Sequence, residues 1–179
     1  MKIHIESERL IIRTPVIEDH IAVNQAIVKS LPELRTYMPW ADKAPTLEET
    51  KINLQQAIEL AEKDIDIRLL AFSRENGKFI ASSGLHKIEW RIPRAEIGYW
   101  VRTTECGKGY AFETAQAITD YAMRELKFRR LEIIVSESNV KSWKIAEKLG
   151  YTLEAKQPLQ RVNPDGSIDG TRLYAKVTE

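Results

Sequence analysis

The sequence predicts a mixed α/β fold, a sheet with helices packed on it. Three observations carry this expectation. Two helical patterns follow a short opening strand, strand-like runs with an Asn-Gly turn among them fill residues 67–101, and a glycine-containing turn at 107–109 then opens an amphipathic helix. The expected order is β-α-α-β-β-β-α-β-α-β-β.

Each element has a local cause. Leu10-Ile11-Ile12-Arg13 reads as an opening strand, stopped by Pro15. Ile17, Ile21 and Val28 fall at helical spacing within Ile17 to Leu31. A segment rich in proline and aromatic residues follows, with Pro32, Tyr37, Met38, Pro39 and Trp40. Thr46 with Glu49 three positions on forms a capping-box pattern for a helix reaching about Lys63. Ile67 to Ser73 is a strand, and Asn76-Gly77 turns the chain into a second, Phe79 to Trp90. Pro93 breaks that strand and Ala95 to Val101 makes the next. Ala111, Ala115, Ile118, Ala122 and Leu126 share one helical face. Arg130 to Val135 is apolar enough for a sheet interior. Ser142 to Leu149 is a short helix with Gly150 as its cap. Strands near Tyr151 to Val162 and Thr171 to Val177 flank the turn Asn163-Pro164-Asp165-Gly166.

The 179 residues fit one domain, 1–179, with no repeat or linker dividing them. A formal net charge of +1 lacks the basic excess of nucleic-acid or anionic-membrane binders, so neither partner is expected. The start has no signal-peptide run and no later stretch approaches the roughly 20 apolar residues of a membrane span, which leads us to expect a cytoplasmic protein. One cysteine, Cys106, excludes an intrachain disulfide and zinc sites built on several thiolates. His4, His20 and His86 show no ligand spacing with one another or with clustered acids, so no metal site and no triad is expected of them.

The most informative segment runs from Ile97 to Ala111, where a strand enters the turn Gly107-Lys108-Gly109 and the turn opens a helix. The first N–H groups of a helix lack internal partners and, with the helix dipole, attract anions. The glycines let the main chain approach a phosphate, and Lys108 adds positive charge. An ordinary tight strand-to-helix connection would use the same residues. A P-loop needs Gly-x-x-x-x-Gly-Lys before Ser or Thr, which is absent, and a dinucleotide fingerprint needs a small residue where Phe112 stands.

This segment resembles the acetyl-CoA pyrophosphate loop of the GNAT superfamily, Arg/Gln-x-x-Gly-x-Gly/Ala. Glu8-Arg9-Leu10-Ile11-Ile12-Arg13, Ala95 to Val101, Ser138-Asn139-Val140-Lys141-Ser142 and Glu147-Lys148-Leu149-Gly150-Tyr151 are similar to successive stretches of its RimJ/RimL-like branch. Thr104 departs from the pattern by standing where Arg or Gln is preferred. The resemblance implies a largely antiparallel mixed sheet of about seven strands, with the family's fourth and fifth strands splayed, flanked by about four helices. It implies acetyl-CoA as cofactor, held by Trp100, Val101, Arg102, Gly107, Lys108, Gly109, Tyr110, Ala111, Phe112, Asn139 and Ser142. Gly98, in mid-strand, suits a close backbone approach there or the packing of a neighbouring aromatic.

Acetyl transfer to an amine needs a proton acceptor and a donor to the departing thiolate. Glu96 is the candidate base, opposite in face to Ala95, Ile97 and Tyr99; a structural carboxylate paired with Arg94 is the competing reading. By the resemblance Ser142 is the candidate donor, because the position where many GNAT proteins carry a tyrosine is Ala146. Asn139 and Ser142 would also serve simply to cap their helix. Tyr37 and Trp40 are candidates for the acceptor wall, or for plain core packing. Cys106 is expected to be inert, and Lys127, Arg129 and Arg130 a solvated face. An α-amine of pKa about 8 is roughly a tenth neutral at pH 7, whereas a lysine is neutral in a few parts per ten thousand. A modest base therefore suits a protein or peptide N-terminus, and the resemblance points to ribosomal proteins. A small amine as acceptor and a non-catalytic acyl-CoA-binding module are the alternatives, and a homodimer is open.

Overall fold

The computed structural model describes residues 1–178. The chain runs β1 (His4–Glu6), β2 (Leu10–Arg13), α1 (His20–Leu34), α2 (Leu47–Glu62), β3 (Ile67–Ser73), β4 (Phe79–Glu89) and β5 (Arg94–Val101). It continues with α3 (Tyr110–Arg124), β6 (Arg130–Ser136), α4 (Val140–Lys148), β7 (Thr152–Val162) and β8 (Ile168–Val177). The eight strands form one sheet in the order β1-β2-β3-β4-β5-β6-β8-β7. The count exceeds the expected seven because His4–Glu6, three residues with a polar residue at each end, pairs along β2.

Neighbouring strands are antiparallel except β5 and β6, which run parallel. That pair holds register at Arg94–Arg130, Ala95–Leu131 and Glu96–Glu132 and no further. Beyond Glu96, β5 stays bonded to β4 as far as Val101 and β6 to β8 as far as Ser136, so the sheet forks.

Helices α3 and α4 cover one face over a core that includes Leu69, Leu85, Ile97, Ile118, Ile133 and Tyr174. Helices α1 and α2 cover the other over a smaller cluster of Val23, Ala26, Leu54, Leu70 and Phe79. The capping box forms: Glu49 N–H donates to Thr46 Oγ1 at 3.1 Å, and Thr46 N–H to Glu49 Oε2 at 2.8 Å. Gly150 takes the left-handed conformation after α4, with φ 76°.

One expected helical face is corrected and a second is kept. In α1 the stripe marked by Ile21 and Val28 turns outward, at 49% and 45% exposure, while Val23, Ala26, Ser30 and Leu34 are buried. Small Ala26 and Ser30 let the helix lie close, and Ser30 Oγ accepts from Thr103 N–H at 2.9 Å, which fixes the rotation. The helix also carries Pro32 inside its last turn and ends at Leu34. In α3 the expected face holds at Ala115, Ile118 and Ala122, joined by the buried Thr114 and Thr119, and Leu126 packs on the core from just beyond the end at Arg124. No helix among the described residues is long and apolar enough to cross a membrane.

Candidate active site

The turn between β5 and α3 presents main chain outward. Gly107 and Gly109 sit at φ 80° and 83°, which glycine adopts without strain. The N–H groups of Gly107, Lys108, Gly109, Tyr110, Ala111 and Phe112 find no acceptor among the described residues. The back of the turn, in contrast, is clamped. Arg9 Nη1 donates to the Lys108 carbonyl at 3.0 Å, its Nε to Glu113 Oε2 at 2.7 Å, and its guanidinium lies 4.4 Å over the Tyr110 ring.

Beneath the turn the buried Glu105 accepts from Lys108 Nζ at 2.8 Å and from Lys78 Nζ. Those ammonium groups, Lys108 first, hold its carboxyl down at about 2. The Lys108 charge is thus tied to the loop's own carboxylate. Thr104, at the departure from the family pattern, donates its hydroxyl to Glu105 Oε1 at 3.3 Å. Arg102 Nε is buried without a partner. A run of unbonded N–H groups at a helix start fits a diphosphate, whose oxygens accept what the main chain offers.

On the α1–α2 side a cavity of about 860 Å³ reaches the fork. It brings together Tyr37 and Trp40, Glu96 and Trp100, and Asn139 and Ser142, from three separate stretches of chain. Tyr37 donates its hydroxyl to the Ser138 carbonyl at 3.3 Å, and the half-exposed Trp40 leans on Trp100, 6.0 Å between ring centroids. Trp100 also packs on Phe79, so its ring faces the cavity while its main chain lies on the forked edge. Asn139 caps α4, its Oδ1 accepting from Ser142 N–H at 3.3 Å.

Glu96 borders the cavity, and its partner is Lys87 Nζ at 2.7 Å, not Arg94, whose guanidinium approaches Glu132. The strand bulges after His86, with Lys87 at φ 50°, and this brings an ammonium to the Glu96 side of the sheet.

Three residues on the cavity escaped the sequence reading. Tyr99 donates its hydroxyl to the Ser142 carbonyl at 2.9 Å and accepts from Ser142 Oγ at 3.3 Å. Burial pushes the Tyr99 phenol up to about 12, so it stays a donor throughout the neutral range. Its signal was in plain view, a tyrosine in the strand that enters the cofactor turn. His86, together with its hydrogen-bond partner Asp66 at 2.8 Å, gave no such signal because the two lie 20 positions apart. Arg161, at the cavity near Tyr37, has a buried Nε without a partner. Cys106 is held as a thiol, raised first by burial and then by Glu33. Arg130, placed by sequence in a solvated basic face, is engaged by Glu132 and Glu154.

Fold and turn together define a class: an acyltransferase that draws its acyl group from coenzyme A. Residues 9–152 match the family described as Acetyltransferase (GNAT) domain, and the chain belongs to that family. It is an N-acetyltransferase that uses acetyl-CoA. Among its relatives, an uncharacterized N-acetyltransferase, p20, of Bacillus licheniformis is 29% identical over 83% of this chain and 82% of its own. The ribosomal-protein-serine acetyltransferase of Escherichia coli is 24% identical over 92% and 90%. Among solved structures, RimL, described as a ribosomal L7/L12 alpha-N-protein acetyltransferase in complex with coenzyme A, superposes with a TM-score of 0.91 at 23% identity, covering 98% of each chain.

Proposed function

We propose that this enzyme acetylates the α-amine of a protein N-terminus, with ribosomal proteins as the acceptor class. The observation that carries the proposal is the cavity of about 860 Å³, which meets the fork beside Ser142. That volume is near the upper end for small-ligand sites and admits the first residues of a chain. Names of relatives, such as ribosomal-protein-serine acetyltransferase, support the same class.

When bound, acetyl-CoA supplies a thioester whose carbonyl carbon the amine attacks. The N–H groups from Gly107 to Phe112 would hold its diphosphate, and the unpaired edge of β5 from Ile97 to Val101 would hold its amide arm as an added strand is held. The Ser142 and Tyr99 hydroxyls would supply the proton that the departing thiolate takes. Tyr37 and Trp40 shape the entrance that the N-terminus threads. Glu96, tied to Lys87, contributes a carboxylate that attracts the incoming ammonium.

The test is transfer of labelled acetyl groups to two acceptor sets, N-terminal peptides and small amines. Peptides are expected to accept with the higher kcat/KM. Turnover confined to polyamines, amino acids or antibiotics would remove the protein N-terminus from the proposal.

A further inference from the structure

We propose that the base of this reaction is His86, oriented by Asp66, rather than Glu96; the proposal rests on the acetyltransfer reading given above. The imidazole lies on the cavity wall and is aimed by its surroundings. Its Nδ1 is 2.8 Å from Asp66 Oδ2. A carboxylate only accepts, so Nδ1 carries the proton and Nε2 carries the lone pair. Nε2 has no hydrogen-bond partner among the described residues.

The position of the ring is built into the sheet. Gly84 and Gly98 are register partners on β4 and β5. A Cβ on Gly84 would meet His86 Cε1 at 3.0 Å and the Ile67 carbonyl at 2.5 Å. One on Gly98 would meet His86 Cδ2 at 3.7 Å and Nε2 at 4.0 Å. The ring therefore lies across a shelf of two bare backbones, with Nε2 toward Gly98. Gly98 is two residues past the last β5–β6 pair, at the point where the fork opens. An imidazole there faces whatever enters from the cavity toward the thioester.

The charged groups around it are Asp66 just before β3, Arg68 on β3, Lys87 on its own strand, Glu96 across on β5 and Glu49 on α2. Glu96 Oε2 is held by Lys87 Nζ at 2.7 Å, so that carboxylate already faces a cation, whereas His86 Nε2 accepts no hydrogen bond among the described residues.

The step balances. The acceptor enters as an ammonium and gives one proton to Nε2; its nitrogen then forms the C–N bond as the C–S bond breaks. The second nitrogen proton goes to the thiolate through the Ser142–Tyr99 hydroxyls. An α-ammonium, of pKa about 8, gives up its proton more readily than a lysine, of pKa about 10.4, which matches a neutral imidazole to N-termini.

The experiment compares wild type, His86→Gln, Asp66→Asn and Glu96→Gln over pH 5 to 10, using whichever acceptor turns over, with coenzyme A affinity measured for each. In wild type, log kcat/KM is expected to fall on the acid side of neutrality as the base takes up its proton. His86→Gln is expected to lose about 10²-fold at pH 7, and its acid limb moves up to the pKa of the amine, near 8. The deficit then shrinks above pH 9, where the amine is already neutral. Asp66→Asn should lose roughly tenfold with the limb displaced, and all variants should bind coenzyme A within about twofold of wild type. A wild-type kcat/KM that holds undiminished down to pH 5, is abolished by Glu96→Gln and is untouched by His86→Gln would overturn the proposal. A His86→Gln deficit that is equal at every pH would overturn it too. If no peptide is acetylated but a small amine is, the acceptor reading falls, and the same pH comparison on that amine still decides the base.

Discussion

Ser142 and Tyr99 act as a pair because each is short of a partner without the other. The phenol donates to the Ser142 carbonyl and accepts from its Oγ, so the two hydroxyls are ordered before any ligand arrives. We expect Ser142→Ala and Tyr99→Phe each to lower kcat by about ten- to a hundredfold, with little change in the KM for acetyl-CoA. The double variant should cost far less than the product of the two, which steady-state kinetics would show. Glu105 is a different case, a buried carboxylate whose value is structural. Its folded pKa of about 2 lies below the ordinary 4.5, so its stabilisation is complete above about 4.5 and is lost as pH falls toward 2. Glu105→Gln should therefore melt earlier than wild type at pH 6, and calorimetry between pH 6 and 2.5 should find the gap closing. The sequence displayed Ser142 through its family motif. It hid the Lys78–Glu105–Lys108 cluster, because Lys78 is 27 positions from Glu105 and only the β4–β5 pairing brings them together.

At the scale of elements, the local codes were readable and the relations between elements were not. Thr46 and Glu49 announce the start of α2, and Asn76-Gly77 announces the turn before β4, because each signal is completed within a few residues. The buried face of α1 was misread because Ile21 and Val28 outweigh Ala26 and Ser30 in hydrophobicity, whereas close packing selects by size. Alternation failed at Lys87, where the bulge changes which face a side chain meets. The start of α3 carries this scale's prediction. At φ 83°, Gly109→Ala forces a left-handed alanine costing about 1 kcal/mol or more, and its Cβ comes 3.5 Å from Arg9 Nη2. Titration calorimetry should find coenzyme A binding weakened about tenfold or more, with peptide binding little altered.

For the whole molecule, the cavity on one face reaches the fork between β5 and β6, and the Gly107–Gly109 turn lies at the head of α3. Residues from α1 to β7 line that cavity, so its shape could not be read from any single stretch of sequence. The fork itself was legible only through the family resemblance, since no spacing states where two strands part. Coenzyme A that binds the folded state alone adds about 2.7 kcal/mol at a hundred times its Kd. For a chain of this length, that raises the melting temperature by roughly 5–10 °C. Thermal melts with and without the cofactor check this, and ATP or NAD at the same concentration should leave the midpoint in place.

The seam at β5 and β6 has a mechanical consequence. Joined by pairs at Arg94, Ala95 and Glu96 alone, the five strands on one side and the three on the other share few rungs. The missing rungs must be supplied by water or by a guest. A substrate arm laid into the gap completes the ladder, and departing product must unzip it again. On the proposed mode of binding, each catalytic cycle would open and close part of the enzyme's own sheet.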